Sequence, residues 1–175
     1  MSAILLSDNY YLCSGIQSSK VATLFICGEL EIEKLRKTNA FTNVIIAIEQ
    51  DSLRNNVIRA IKKARSRYIV LLKAIESDSY VKIDNIIYSS LRFNLQPLQY
   101  LVKFYHSLHE QAFTRREYDV LKLVHLENKK IAKRLKLSQK TTSTYRMKIQ
   151  EKMHMRAKNQ LAMHRVKSAI LDQKF

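Results

Sequence analysis

The chain has 175 residues and a mass of 20.5 kDa, which allows one domain of ordinary size or two small ones. Its 46% hydrophobic residues predict a folded core, and its two glycines and one proline exclude the glycine-rich loops with which nucleotide-binding enzymes hold phosphate groups. The formal net charge of +16 favours a polyanionic partner, either nucleic acid or an anionic membrane.

The first hundred residues alternate short β-rich runs with helical patterns, which is typical of a parallel sheet with crossover helices. Runs such as Val44–Ile48 do not alternate in polarity, so we expect both faces of the sheet to be covered. The predicted strands are Ala3–Leu6, Val21–Cys27, Asn43–Ile48, Arg67–Leu72 and Asn85–Tyr88. They predict an α/β domain with a five-stranded parallel sheet and flanking helices.

The connections between these strands carry the helical patterns. The clearest is the amphipathic segment Asp51–Lys63, whose apolar stripe should lie on the sheet. A fourth helix is expected between the last two strands, although Glu76–Ser79 has the composition of a loop. The last helix of the domain begins near Gln96 and places Pro97 in its first turn, where the missing amide hydrogen is harmless.

From Phe113 onward the pattern is helical and no strand-like run remains. This last third holds 17 Lys and Arg against five Asp and Glu, a net charge of +12, which leaves +4 for the first 112 residues. We therefore predict an α/β domain at 1–106, a linker at 107–112 and a basic helical domain at 113–175.

Two helices separated by a tight turn stand out in the basic domain. Thr114 and Glu117 have the spacing of a capping box, flanked by Phe113 and Tyr118 at the positions of a hydrophobic staple. A short helix follows at Lys130–Leu135, carrying its apolar residues inward. The next helix is capped by Ser138 and runs to Met153, which predicts a helix-turn-helix.

The spacing within Ser138–Met153 assigns its faces. Thr142, Tyr145, Ile149 and Met153 recur every three or four residues and should face the core. The opposite face then carries hydroxyl, methionine and basic side chains. Small hydroxyl and methyl groups suit base edges in the major groove, and cations suit phosphates. This pattern predicts double-stranded DNA as the partner.

The segment Phe113–Val166 resembles the C-terminal domain of LuxR-type (NarL/FixJ) bacterial transcription regulators. The matching stretches are FTRREYDVL, KKIAKRLKLSQKT and YRMKIQEKM, followed by Gln160 and Leu161. The loop at His125–Lys129 is short for the family and lacks its glycine. The resemblance implies a four-helix domain whose third helix enters the major groove and whose fourth helix often forms a dimer contact.

Carried over by position, the implied DNA contacts are Lys140, Thr141, Ser143, Thr144, Arg146, Met147, Lys148 and Lys152. The last helix carries an apolar stripe for a dimer contact, made of Met163, Val166 and Ile170. A homodimer and a heterodimer with a related regulator are equally compatible with this stripe, and RNA polymerase is a compatible further partner.

The N-terminal domain resembles a receiver domain that has lost its phosphorylation chemistry. A receiver holds Mg²⁺ with clustered carboxylates and keeps an aspartate nucleophile at the end of the third strand. The matching positions here are Ser7 and Asp8 on the first strand and Ala47 or Ile48 on the third, while Ser89 and Ser90 end the fifth. The resemblance implies a regulator that acts without phosphorylation. In length and layout the chain is similar to acid-resistance regulators of this family.

Other functions fit the sequence less well. A basic module that binds RNA would expose aromatic side chains for base stacking, and the C-terminal third has few. An enzyme is not expected, because we find no nucleophile with a base beside it. His106 and His109 lie three apart beside Glu110, but without a third ligand they are better read as a surface pair than as a metal site or pH sensor.

The cysteine content and the length of the apolar runs indicate where the protein acts. Cys13 and Cys27 are too few for a disulfide framework or a thiolate metal cluster. No apolar stretch approaches the roughly 18 residues of a membrane-spanning helix. We therefore expect a cytoplasmic protein with no membrane partner, metal or cofactor.

Overall fold

The computed structural model describes residues 3–16, 21–37, 43–62 and 67–171. The strands are β1 (Ala3–Ser7), β2 (Val21–Phe25), β3 (Asn43–Ala47), β4 (Arg67–Leu72), β5 (Tyr80–Ile83) and β6 (Ile86–Ser90). The helices are α1 (Tyr10–Ile16), α2 (Glu29–Lys37), α3 (Asp51–Lys62), α4 (Leu95–Lys103), α5 (Arg115–Lys122), α6 (Asn128–Leu135), α7 (Gln139–Lys152) and α8 (Gln160–Leu171). The predicted end of the third helix at Lys63 lies outside the described residues.

One six-stranded sheet organises the N-terminal domain, with the strand order β2-β1-β3-β4-β6-β5. Strands β1, β2, β3, β4 and β6 run parallel, so the five predicted strands are present. Every residue of β1, β3 and β6 is buried, which is the reason their apolar runs do not alternate. The predicted α/β domain is therefore confirmed.

The sixth strand corrects the predicted five-stranded parallel sheet. The expected fourth helix is absent from the described residues 73–85, which instead hold β5, paired antiparallel with β6. The two-residue turn between them consists of Asp84 and Asn85, with φ angles of 49° and 62°. Such a turn needs positive φ at both positions, and Asp and Asn tolerate that conformation better than most residues. The hairpin adds an edge strand where a crossover helix was expected.

Helices cover both faces of the sheet and create two apolar layers. Ile32 of α2 and Ile58 of α3 belong to one layer, and Leu98 and Leu101 of α4 belong to the other. Pro97 lies in the first turn of α4, as predicted.

Helices α5 to α8 follow the α/β domain, and their core is continuous with one apolar layer of the sheet. Val120 of α5, Ile149 of α7 and Val166 of α8 are fully buried and share a cluster with Ile46 and Val70 of the sheet. Helix α8 contacts both α3 and α5. The helical domain thus packs on the α2–α3 side of the sheet.

Candidate nucleic-acid interface

The first helix of the basic domain begins at the predicted capping box. The Thr114 hydroxyl accepts from the Glu117 amide at 3.3 Å, and the Glu117 carboxylate accepts from the Thr114 amide at 2.7 Å. The rings of Phe113 and Tyr118 meet edge to face at 5.4 Å, which completes the hydrophobic staple. Both local predictions are confirmed.

A left-handed residue makes the turn between α6 and α7. Lys136 has φ 53° and ψ 48°, and the Leu137 amide beyond it donates to Ala132 O at 2.9 Å. The Ser138 hydroxyl then accepts from the Thr141 amide at 2.9 Å and caps α7. The predicted start of this helix is confirmed, and the turn sets α7 across α5 and α6.

The inner face of α7 packs as the spacing predicts. Thr142, Ile149 and Met153 are buried, and Tyr145 is partly buried against the same core. The Thr142 hydroxyl donates back to Ser138 O at 3.1 Å, which satisfies it away from water. The opposite side of α7 is left facing solvent.

Six predicted contact residues occupy that opposite side. We define the outer face of α7 as Lys140, Thr141, Ser143, Thr144, Met147 and Lys148. Lys140, Met147 and Lys148 are exposed, Met147 to 50%, and the other three are partly exposed. The Thr144 hydroxyl donates to Lys140 O at 3.0 Å. The outer face therefore combines an apolar side chain, Met147, with hydroxyl groups and with the cations Lys140 and Lys148.

Arg146 directs its guanidinium toward the loop between α5 and α6 and not toward the outer face, and its implied DNA contact stays a prediction. Its guanidinium donates to the carbonyls of Val124 and Leu126 and to Asn128 Oδ1 at 2.9 Å. Burial lowers the pKa of this guanidinium. Arg146 therefore holds the short loop between α5 and α6. Its spacing from Thr142 and from the buried residues beyond it was a signal for this inward placement.

Lys152 is also engaged within the chain. Its ammonium group lies 2.8 Å from Glu117 Oε2 and donates to Ala112 O at 3.1 Å. Burial opposes ionisation of Glu117, but hydrogen bonds from Lys152 and the Thr114 amide outweigh it and hold the Glu117 pKa below its usual value. Lys152 thus joins the last turn of α7 to the first turn of α5, and its predicted DNA contact would compete with this ion pair.

One further residue supports the short loop, in a role that the sequence did not predict. Gln160, at the start of α8, donates from its side-chain amide to His125 O at 3.0 Å. Together with Arg146 it satisfies carbonyl groups in a loop that has no glycine. No local pattern in the sequence indicates this contact, because its partners are 35 residues apart.

The three residues predicted to form the dimer contact are buried in the core of their own chain. Met163, Val166 and Ile170 are at most 2% exposed and belong to the core shared with the sheet. Their role in pairing stays a prediction, and in this arrangement it would require α8 to leave that core.

The positions compared with a receiver's phosphorylation site lie at the carboxyl ends of β1, β3 and β6, where they form hydrogen bonds. Asp8 Oδ2 accepts from the amides of Glu49 and Gln50 at 3.0 and 3.2 Å. The Ser7 hydroxyl donates to Ala47 O at 2.9 Å. Asp8 therefore binds the backbone of the segment between β3 and α3. The serines at the end of β6 are buried, and Ser90 donates to Ile75 O at 3.1 Å.

The remaining candidate features are the histidine pair, a metal site and a membrane-spanning helix. His106 and His109 are exposed. Among residues 3–16, 21–37, 43–62 and 67–171, no three His, Cys, Asp or Glu side chains are grouped closely enough to hold a metal ion. None of the helices in these ranges combines the length and the apolar character needed to cross a membrane.

The fold and the site together define a two-domain protein whose second domain is a basic helix-turn-helix. Residues 111–165 match the family GerE, bacterial regulatory proteins of the luxR family. No curated protein matches the chain significantly. The matched residues span α5, α6, α7 and the first half of α8. This LuxR-type domain supports a DNA-binding transcription regulator, and the family is one of regulators and not of enzymes.

Proposed function

We propose that the chain is a bacterial transcription regulator that reads a specific duplex DNA sequence with the outer face of α7. The observation that carries the proposal is the two-sidedness of this helix: its inner face is buried, while Lys140, Met147 and Lys148 lie open to solvent. An α-helix fits the major groove of B-DNA, and the net charge of +12 beyond residue 112 attracts the phosphates on either side.

The outer face divides into groups that read bases and groups that bind phosphates. Thr144 uses its hydroxyl hydrogen on Lys140 O, so it offers its methyl group and an oxygen lone pair to a base edge. Met147 offers an apolar contact for a thymine methyl group, and Thr141 and Ser143 offer hydroxyls. Lys140 and Lys148 are assigned to phosphates, which position the helix without specifying sequence.

We further propose that DNA binding does not require phosphorylation. A phosphorylatable receiver needs an aspartate at the end of its third strand, and Ala47 and Ile48 occupy that region here. Asp8 is committed to the Glu49 and Gln50 amides. We therefore expect acetyl phosphate with Mg²⁺ to leave the affinity of the chain for its operator unchanged.

Two copies are proposed to act on neighbouring half-sites, because one short helix contacts only a few base pairs. A homodimer and a heterodimer with a related regulator both meet this need. RNA polymerase is the proposed further partner at promoters, and the bacterial cytoplasm is the proposed location. The resemblance to acid-resistance regulators, which concerns length and layout, is kept as part of this proposal.

The test is fluorescence anisotropy with a duplex that the full chain selects from a randomised DNA pool. Binding should weaken linearly on a plot of log affinity against log salt, by a slope of about 0.9 for each phosphate contacted. An RNA duplex of the same sequence is the control, since its narrow major groove excludes a helix. Equal affinity for all duplexes, RNA included, would reject sequence-specific reading.

A further inference from the structure

Helix α8 belongs to the core of both domains. Val166 and Ala169 are fully buried, and their cluster includes Ile46 of β3 and Val70 of β4. The same helix contacts α3 on the sheet and α5 beside α7. Because α8 packs against both domains, unfolding of one domain removes buried contacts that stabilise the other.

Two buried polar contacts hold α8 against the α/β domain. The side-chain amide of Asn55 donates to Ser168 Oγ at 3.3 Å, and the Tyr88 hydroxyl donates to Ala169 O at 3.4 Å. All four residues are buried. Because a buried polar group without its partner is costly, separating α8 from the sheet must either break or hydrate these contacts.

The segment after α7 is joined by its backbone to the loop between β4 and β5. The Glu76 amide donates to His154 O, and the Arg156 amide donates to Ala74 O, both at 2.9 Å. Ile75 and Met155 form an antiparallel bridge between these bonds. The segment that follows α7 therefore pairs antiparallel with the loop between β4 and β5.

The start of α5 is held by the β5–β6 hairpin. The Gln111 amide donates to Lys82 O at 2.7 Å, and the Tyr118 hydroxyl donates to Asp84 Oδ2 at 2.9 Å. Residues 110 and 111 of the predicted linker thus pair with β5 at Lys82. With α8 and the segment after α7, this makes three separate attachments between the domains.

We propose that the α/β domain is the support of the DNA-reading helix, so that DNA binding at α7 and folding of the sheet are coupled through α8. Asn55 and Tyr88 are the positioning residues of this coupling. The identity of the ligand rests on the proposed function, whereas the coupling between the domains does not. The proposal also keeps Met163, Val166 and Ile170 in the core of their own chain, so it competes with their predicted role in pairing.

Hydrogen exchange on the full chain with a selected DNA duplex tests the proposal. A ligand at 100 times its Kd slows globally exchanging amides by about 100-fold. If the domains are coupled, amides of Val44–Ala47 in the sheet slow by the same factor as those of α7. Slowing confined to residues 114–153 would overturn the proposal.

Matched variants identify the contacts responsible. Asn55→Ala combined with Tyr88→Phe should reduce the slowing in the sheet at least threefold while leaving it intact at α7. Asn56→Ala is the control, because the Asn56 side chain accepts from Arg59 within α3. Asn56→Ala should keep the full slowing of exchange in the sheet. An equal loss of that slowing in the control and in the double variant would reject the positioning role of Asn55 and Tyr88.

A second arm needs no DNA. Ile46→Val in β3 should speed exchange of the sheet amides about fivefold, and coupling requires the same factor for Thr142–Ile149. An unchanged rate in α7 would overturn the coupling. If no duplex protects α7 but this variant still speeds its exchange, the DNA proposal fails and the coupling stands.

Discussion

The ammonium group of Lys152 lies 2.8 Å from Glu117 Oε2 and ties the end of α7 to the start of α5. The Glu117 side chain is 3% exposed, and its carboxylate also accepts from the Thr114 amide. One carboxylate therefore caps α5 and anchors the helix that carries the outer face. A residue expected on the DNA is thereby part of the support beneath the reading surface.

Lys152→Ala should destabilise the fold by about 2 kcal/mol, because it leaves the Glu117 carboxylate buried without its charged partner. Urea unfolding measures the loss. Lys148→Ala removes an exposed lysine from the same helix and should change the free energy of unfolding by less than about 0.5 kcal/mol. Equal stability of the two variants would show that the Lys152–Glu117 ion pair does not stabilise the fold.

The same carboxylate predicts a dependence of stability on acid. The folded state holds the Glu117 pKa below its usual value of 4.5, so the stabilisation is present above that value and is lost as the pH falls through the folded pKa. The difference in free energy of unfolding between the native chain and Glu117→Gln should therefore shrink below pH 4.5. Urea unfolding across that range measures it, and a constant difference would contradict the assigned pKa direction.

Lys136→Gly should stabilise the chain by about 0.5 to 1 kcal/mol, because Lys136 adopts a left-handed conformation that costs a side chain more than it costs glycine. Lys133→Gly is the matched control within α6 and should destabilise by about 1 kcal/mol. Thermal unfolding of both variants measures the pair. Destabilisation by both substitutions would show that the Lys136 side chain makes a contact that outweighs its backbone cost.

Local signals explain why the helix-turn-helix could be predicted. The capping box at Thr114 and the cap at Ser138 act over three residues, so the sequence alone places both helix starts. The buried face of α7 follows from helical spacing in the same way. Short-range hydrogen bonds and periodicity belong to a single segment, so they do not depend on which other elements pack against it.

Contacts between distant segments explain what could not be predicted. Strand β5 forms because the Asp84–Asn85 turn lets Tyr80–Ile83 pair with β6, and turn composition alone did not separate this from a loop before a helix. The burial of α8 depends on α3, more than 100 residues away, as the Asn55–Ser168 bond shows. An apolar stripe predicts that something covers it but not whether the cover is a second copy or the same chain.

Thr144→Ala and Lys148→Ala separate base reading from phosphate binding on the outer face of α7. Thr144→Ala removes the methyl and hydroxyl offered to a base, so it should relax preference at one position of the duplex by about 1 to 3 kcal/mol. Lys148→Ala should weaken all duplexes alike and reduce the salt slope by about 1 for each copy bound.

Anisotropy with the selected duplex and its single-base variants, repeated across a salt series, measures both effects. Ser143→Ala is the companion substitution and should change preference at a different base pair, because consecutive side chains on an α-helix point about 100° apart. A uniform loss for Thr144→Ala with altered base preference for Lys148→Ala would reverse the two roles and reject the assignment of the outer face.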